Sequence, residues 1–363
     1  MRVGVVGGGQ LGRMLALAGH PLGITVTTLD PNDSSPAAQV APAITGGYGD
    51  LEALDELARA CDVATYEFEN VPVDAARFLA TRVPLHPAPE ALEAAQDRLA
   101  EKALFAEVGL PVPRYAAVHD LGSLGSAIDE VGLPAVLKTR RLGYDGKGQS
   151  VLRDALRADD AWRAVGEQPS ILEAFVPFRR EVSIVAARAV DGTIAAYPLV
   201  ENEHRDGILR LSRAPARVDE ATSTRADGYA RAVLERLGYV GVLAIELFDV
   251  DGELLANEMA PRVHNSGHWT IEGAVTSQFE QHLRAVCGLP LGDASARGAS
   301  AMVNLVGALP TSRDVLRVEG AHLHRYGKQP RPGRKVGHVT VVAGDEPARE
   351  DALTRLLPSI PEA

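Results

Sequence analysis

The N-terminal segment constrains the fold of this chain more than any other feature. The run from Val3 to Val6 has the pattern of a short buried strand, and it leads directly into Gly7-Gly8-Gly9-Gln10-Leu11-Gly12 and a helical segment, Arg13 to Ala18. Further strand patterns follow over 24–29 and 63–68. Strands separated by helical segments predict parallel βαβ units in about the first hundred residues.

The same glycines also match a cofactor-binding pattern. Gly7, Gly9 and Gly12 follow a strand with the G-x-G-x-x-G spacing, and Asp30 lies at the end of the next strand. An NAD-dependent oxidoreductase is therefore one interpretation. Many βαβ turns need glycine only for the tight bend, and the densest polar clusters of this chain lie far downstream.

Composition limits the class of protein. The chain has 363 residues, 46% of them hydrophobic, and a formal net charge of −11, which predicts two or three globular domains and argues against nonspecific nucleic-acid binding. Cys61 and Cys287 are too few for a disulfide framework. We find no signal-peptide pattern and no apolar run of the ~20 residues that a membrane span needs, so we expect a cytoplasmic protein with no membrane contact.

A helical pattern connects the first domain to the rest of the chain. Pro89 can begin a helix with apolar positions that include Leu92 and Phe105, and Gly109 can end it. We predict one connector helix over these residues, followed by a strand-rich α+β region that is largely antiparallel.

A glycine loop follows a lysine in that region. Lys138 closes an apolar strand, and Gly143 to Gln149 supplies several glycines whose N–H groups can approach phosphate oxygens without interference from a Cβ atom. The spacing is not that of a Walker motif, and a surface hairpin tip remains an alternative.

Two glutamates lie on strands joined through Asp249-Val250-Asp251-Gly252. A two-residue turn at Asp251-Gly252 would place Asn257 opposite Glu246, whereas a three-residue loop would bring Glu258 onto that face. In either register two or three oxygen ligands converge in an apolar hairpin, where carboxylates are costly unless a hard cation such as Mg²⁺ neutralises them. Solvated glutamates on an edge hairpin are the alternative.

Two further segments are rich in polar or basic side chains. Arg262, His264, Asn265 and Ser266 lie close together after a strand, which indicates contact with an anion or a ribose. Lys328, Arg334 and Lys335 concentrate positive charge in an acidic protein, although a solvated charged turn would look the same.

Together these segments resemble one family, the ATP-grasp 5-(carboxyamino)imidazole ribonucleotide synthases, also called the ATPase subunit of phosphoribosylaminoimidazole carboxylase. The resemblance spans nearly the whole chain, and its most specific part is the long run from Asn257 to Gly273. The other segments that carry it are Gly7 to Met14, Glu67 to Pro72, Gln96 to Arg98, Lys138 to Arg141 and Gly143 to Gln149.

The resemblance implies a mixed α/β and α+β architecture with an ATP-grasp fold. We expect a Rossmann-like pre-ATP-grasp domain over 1–97 and an ATP-grasp domain over 98–288, with a mobile lid subdomain at about 114–177. A C-terminal domain over 289–363 would complete the substrate site.

It also implies the roles of individual residues. The expected nucleotide contacts are Arg98, Lys138, Gly143, Tyr144, Asp145, Gly146, Lys147, Gly148, Gln149, Glu173, Ala174, Phe175, Val176, Glu181, His204, Asn257 and Glu258. The expected ribonucleotide contacts are Tyr144, Asp145, Lys147, Arg262, His264, Asn265, Ser266, Lys328, Arg334 and Lys335. Glu246 and Glu258 are the expected metal ligands, and Lys138, Arg262 and Asp145 the expected catalytic residues, with Asp145 the candidate acceptor of the amine proton.

The implied chemistry is an ADP-forming carbon–nitrogen ligation. ATP would phosphorylate bicarbonate to carboxyphosphate, and the amine of 5-aminoimidazole ribonucleotide would then be carboxylated, with Mg²⁺ or alternatively Mn²⁺ as the metal and a homodimer as the assembly. The other interpretations are an ATP-grasp ligase with a different acceptor, a nucleotide-binding regulator without turnover, and the NAD-dependent oxidoreductase.

Overall fold

The first domain is a parallel sheet covered by helices; the computed structural model describes residues 1–143 and 146–361. The elements are β1 (Arg2–Val6), α1 (Gln10–Gly19), β2 (Thr25–Asp30), β3 (Ala43–Thr45), α2 (Leu51–Ala60), β4 (Val63–Tyr66) and α3 (Val73–Ala80). The four strands lie in the order β3-β2-β1-β4 and all pair in parallel. The predicted βαβ units are confirmed.

The connector is two helices rather than the single helix that the sequence predicts. They are α4 (Pro89–Gln96) and α5 (Arg98–Glu107). Asp97 lies between them in an extended conformation, where its carboxylate caps α5 at the Leu99 N–H and accepts from Arg140 Nε at 2.6 Å. The prediction of one helix was wrong because Asp97 leaves the helical conformation to cap α5, and the apolar periodicity that predicted a single helix does not register this N-cap.

A small antiparallel sheet lies within the predicted lid subdomain, 114–177, and is called the lid. Its elements are β5 (Tyr115–Val118), α6 (Leu121–Val131), β6 (Ala135–Thr139), β7 (Gln149–Leu152), α7 (Ala158–Ala164) and β8 (Ser170–Ala174). The strand order is β5-β8-β6-β7. Buried Leu124, Leu137, Trp162 and Leu172 belong to a core of its own beneath the two helices.

The remaining strands form one large sheet of nine strands. They are β9 (Arg180–Arg188), β10 (Ile194–Ala196), β11 (Val200–Arg205), β12 (Ile208–Ala214), β13 (Gly241–Val250), β14 (Glu253–Ala260), β15 (Ala299–Val306), β16 (Ala321–Arg325) and β17 (Lys335–Ala343). Their order is β14-β13-β9-β11-β12-β15-β17-β16, with β10 added beside β9. The helices are α8 (Glu220–Arg236), α9 (Thr270–Gly273), α10 (Gln278–Val286), α11 (Ser312–Val315) and α12 (Glu346–Leu356).

The C-terminal strands are thus continuous with the central sheet, because β12 pairs with β15. The predicted domain boundary near residue 288 falls within a segment that feeds one shared sheet, so side chains of the C-terminal segment can reach the same site as those of the central segment. Cys61 and Cys287 are both buried and free. Within residues 1–143 and 146–361, no helix is long and apolar enough to cross a membrane.

Candidate active site

The hairpin of β13 and β14 brings the two predicted metal ligands together. Asp251 and Gly252 both have positive φ, 53° and 90°, which is the geometry of a two-residue type I′ turn. Val250 therefore pairs with Glu253, yet Glu246 pairs with Glu258 rather than with Asn257. A β-bulge between these pairs makes Asn257 the extra residue, so the observed register arises from a turn and a bulge together, which neither sequence alternative included.

This carboxylate pair is electrostatically unfavourable by itself. Burial and the neighbouring charge of Glu258 raise the pKa of Glu246 to about 7. Arg98 Nη1 lies 3.0 Å from Glu258 Oε2 and neutralises part of the charge. Two convergent carboxylates of this kind suit a hard cation such as Mg²⁺ that also binds nucleotide phosphates, so the residues fit the metal implied by the sequence.

The lid contributes its lysine to the same place. Lys138 lies at the end of β6, with its Nζ atom 2.9 Å from Glu173 Oε2 and 3.2 Å from Asn257 Oδ1. Burial opposes the charge of Glu173, but Lys138 and Lys102 outweigh it and lower its pKa to about 2. The lid therefore meets the large sheet where the Lys138 ammonium group contacts the Asn257 amide, and Glu173 holds that ammonium group from within the lid in a nearly buried ion pair.

A narrow pocket lies beside this contact. Its walls include Glu181, His204, Glu246 and Asn257, four of the predicted site residues. His204 Nδ1 is 2.5 Å from Glu181 Oε2; burial disfavours the imidazolium, but Glu181 and Glu246 together raise its pKa. The protonated imidazole can hold the Glu181 carboxylate in a fixed orientation within the pocket.

Two glycines of the glycine loop pack closely against neighbouring residues. Gly146 and Gly148 have positive φ, 75° and 71°. A Cβ atom on Gly148 would lie 2.6 Å from Thr139 Oγ1, and one on Gly146 would lie 3.0 Å from the Asp206 carbonyl oxygen in the turn after β11. The loop thus lies between the lid and the large sheet, while Tyr144 and Asp145 lie outside the described residues.

The segment from Glu173 to Val176 includes the end of β8 and the two residues that follow it. Glu173 is buried, and Phe175 is partly exposed. The Ala174 N–H donates to the Arg114 carbonyl at 2.8 Å, and the Phe175 N–H donates to the Pro134 carbonyl at 3.0 Å. These backbone contacts fix the strand end within the lid, and the adenine contact predicted for Glu173 to Val176 stays a prediction.

Arg262 joins the first domain to the large sheet. Its guanidinium donates to the Glu69 carboxylate, and a second nitrogen donates to the Val263 carbonyl at 3.1 Å. Burial works against the charge of Glu69, but Arg262 prevails and lowers its pKa to about 2. Glu69 is not among the site residues predicted from the sequence, although it follows a parallel strand at a position where ligands gather in α/β sheets.

A series of side-chain hydrogen bonds holds the polar loop that follows β14. Ser183 Oγ donates to Ser266 Oγ at 2.8 Å, and Ser266 Oγ lies 2.9 Å from His264 Nδ1. His264 Nε2 lies 3.5 Å from Glu246 Oε1, and Asn265 exchanges two amide hydrogen bonds with Asn304. Ser266 is fully buried, so its described contacts orient His264, and its predicted contact with the ribonucleotide stays a prediction.

The C-terminal basic residues lie close together at the edge of the site. Lys328 Nζ donates to the Gln10 side chain in the first domain. Burial and the charge of Arg334 lower the pKa of Lys328 to about 8, while Glu67 acts in the opposite direction. Lys335 is a close electrostatic neighbour of Glu246 and His264. The basic segment therefore extends from the first domain to the carboxylate pair.

The N-terminal glycine turn is filled by the protein itself. The Gly9 and Gly12 N–H groups donate to the Glu67 carboxylate, and the Gly8 N–H donates to Asp30 Oδ2 at 2.8 Å. A dinucleotide would need these N–H groups for its pyrophosphate. The geometry therefore argues against the NAD interpretation.

A parallel first domain, a lid that bears a lysine and a glycine loop, and a large sheet with paired carboxylates define an ATP-grasp enzyme. Three family models agree in order along the chain. The ribonucleotide synthetase preATP-grasp domain matches residues 1–96, the ATP-grasp domain matches 103–279, and the phosphoribosylaminoimidazole carboxylase C-terminal domain matches 300–352.

Similar proteins identify the family within the ATP-grasp enzymes. N5-carboxyaminoimidazole ribonucleotide synthase of Pseudomonas aeruginosa is 53% identical over 345 residues, which cover 95% of this chain and 95% of that protein. The crystal structure of the synthetase from Thermus thermophilus has a TM-score of 0.96 at 55% identity, covering 99% of each chain. The synthase from Aspergillus clavatus in complex with ADP and 5-aminoimidazole ribonucleotide has a TM-score of 0.92 at 33% identity, covering 99% of this chain and 97% of that one. The chain belongs to the N5-carboxyaminoimidazole ribonucleotide synthase family, which confirms the resemblance and the predicted fold.

Proposed function

We propose that this chain uses ATP and bicarbonate to carboxylate the amine of 5-aminoimidazole ribonucleotide, forming the 5-(carboxyamino) product, ADP and phosphate. The observation that carries the proposal is the meeting of two sets of side chains at one strand end. Asn257 and Glu258 on β14 contact the lid lysine and Arg98, and the same strand continues into the loop of Arg262 and His264. A nucleotide and an anionic acceptor can therefore be held side by side.

The first step we propose is attack of a bicarbonate oxygen on the γ-phosphorus of ATP, with cleavage of the bond to the β-phosphate oxygen. Lys138 and Arg98 supply positive charge near the transferring group, and their positions are held by Glu173 and Glu258. Glu246 and Glu258 would hold Mg²⁺, which when bound neutralises phosphate oxygens. The products of this step are ADP and carboxyphosphate.

In the second step the amine nitrogen bonds to the activated carbon, the bond from that carbon to the phosphate oxygen breaks, and phosphate leaves. The amine must lose a proton, for which Asp145 stays the predicted acceptor. Arg262, Lys328 and Arg334 are proposed to hold the anionic end of the ribonucleotide. Arg262 is already oriented by Glu69, which reduces the entropy lost on binding.

The decisive experiment measures phosphate release from ATP with and without bicarbonate and 5-aminoimidazole ribonucleotide. We expect release to require both, and carbon-13 bicarbonate to appear as a carbamate carbon in the product. Release that required a different amine or carboxylate acceptor would identify another ATP-grasp ligase, and ATP binding without release would identify a regulator.

We further propose that the protein is a homodimer, as the family implies, and that it is cytoplasmic, which agrees with its free cysteines. Sedimentation tests the assembly.

A further inference from the structure

Helix α5 presents buried charges to the edge of the large sheet. Arg98, Glu101 and Lys102 share one face of the helix, at spacings of three and four residues. Glu101 is 2% exposed and Lys102 is 0% exposed. Their neighbour is β14, which is the terminal strand in the order of the large sheet and carries Asn257 and Glu258.

Lys102 binds the backbone of the bulge. Its Nζ atom donates to the Ala256 carbonyl at 3.1 Å and to the Asn257 carbonyl at 2.7 Å. In a regular strand successive carbonyl groups point to opposite sides, so one ammonium group cannot reach both. Asn257 is the extra residue of the bulge, and this departure from regular pairing lets both oxygens converge on Lys102.

Glu101 holds the same strand on the other side of the metal ligand. Its Oε1 atom accepts from the Met259 N–H at 2.7 Å. Lys102 therefore binds the backbone just before Glu258, and Glu101 binds it just after. We call these two residues the α5 clamp.

The clamp also faces the lid. Lys102 Nζ lies 3.6 Å from Glu173 Oε1, and the other oxygen of Glu173 binds Lys138. The position of Lys138 is thus tied through Glu173 to the same ammonium group that holds the bulge. One residue on α5 thus contacts both the backbone of the bulge and the lid glutamate that binds Lys138.

We propose that Lys102 and Glu101 are positioning residues for nucleotide and metal binding, acting through the bulge at Asn257 and through Glu173. This inference rests on the proposed function of Glu246, Glu258 and Lys138. If the side chain at position 102 served stability alone, a lysine would not be needed there. Well-packed apolar side chains commonly replace buried charges at no loss of stability. What an apolar side chain cannot supply is hydrogen bonds to two consecutive carbonyl groups.

The test compares two variants of equal side-chain length, Lys102→Met and Lys102→Gln. Gln keeps an N–H donor for the carbonyl groups, whereas Met has none. We expect Lys102→Met to weaken binding of ADP with Mg²⁺ by ~10–100-fold in calorimetry, the range typical of residues that orient metal ligands. Lys102→Gln should recover most of that affinity, and the Michaelis constant for the ribonucleotide should change little in both.

Arg349 supplies a control for the loss of a buried cation. It is 1% exposed, lies in α12 and pairs with Glu350 at 2.8 Å. Arg349→Met should lower the melting temperature and leave the affinity for ADP with Mg²⁺ unchanged. A role of Lys102 in stability alone predicts this same result for Lys102→Met, and that result in a folded protein would overturn the proposal.

A second pair keeps the test decisive should Lys102→Met fail to fold. Glu101→Leu removes the acceptor for the Met259 N–H, and Glu101→Gln retains one. We expect weaker ADP and Mg²⁺ binding in the first and near wild-type binding in the second, and equal binding in both would overturn the proposal. Binding of ADP does not depend on the acceptor substrate, so a wild-type enzyme that fails to use bicarbonate would refute the proposed function while leaving this measurement valid.

Discussion

The carboxylates of the site fall into two groups that differ in their partners. Glu173 and Glu69 each contact a cationic side chain, Lys138 and Arg262, and both have a pKa of about 2. Glu246 instead pairs with Glu258 across a hairpin, and its pKa is about 7. The first group stabilises the fold at neutral pH, whereas the second costs stability there and provides a place for a cation that the chain itself does not supply.

The largest effect on activity should come from substitution in the carboxylate pair of Glu246 and Glu258. Glu258→Gln removes a proposed metal ligand and the partner of Arg98, so we expect turnover to fall by on the order of a hundredfold or more with little change in fold. Steady-state rates over a Mg²⁺ series, with circular dichroism for the fold, measure this. Wild-type turnover at saturating Mg²⁺ would show that Glu258 does not bind the metal; Glu246→Gln should reduce turnover less.

The ion pair of Glu173 should contribute to the stability of the protein against acid unfolding. The pKa of Glu173 is lowered from its ordinary 4.5 to about 2, so its contribution is complete above pH 4.5 and is lost as pH falls towards 2. This contribution is at most roughly 3 kcal/mol. Chemical denaturation of the wild type and Glu173→Gln at several pH values should show the flatter dependence in the variant; parallel curves would contradict the ion pair.

Substitution of Arg262, the partner of Glu69, tests whether this ion pair also contributes to substrate binding. Arg262→Ala removes one charge-assisted contact, which should cost about 1.5–3 kcal/mol in ribonucleotide binding and raise that Michaelis constant roughly tenfold to more than a hundredfold. The Michaelis constant for ATP should change little. Lys328→Ala serves as a second case without the Glu69 contact. Equal increases for both substrates would place these residues in the nucleotide cleft.

The smallest expected effect is a gain in stability on substitution rather than a loss. Because the pKa of Glu246 is raised from 4.5 to about 7, its contribution to stability is present below pH 4.5 and is lost as pH rises through 7. Metal-free Glu246→Gln should therefore be more stable than the wild type at pH 8, by about 1–2 kcal/mol after allowance for solvent screening. Thermal unfolding in a chelator measures this, and a less stable variant would remove the contrast between the two groups.

Local residue chemistry determined several parts of this protein by itself. Asp251-Gly252 produces a type I′ turn because both positions tolerate positive φ, and the strands and helices of the first domain follow from apolar runs broken by glycine. The polar segments, above all Asn257 to Gly273, are specific enough to identify the family from the sequence alone. The individual ligand and substrate contacts, by comparison, stay predictions.

Tertiary structure decided what depends on partners distant in sequence. The bulge at Asn257 sets which carboxylates face each other, and its backbone is held by Lys102, 155 positions away. Asp97, at the break between α4 and α5, accepts a hydrogen bond from Arg140, and the N-terminal glycine turn is filled by Glu67. Such contacts leave no periodicity in the sequence, because they arise only when separate elements pack and a buried charge or N–H group must find its partner.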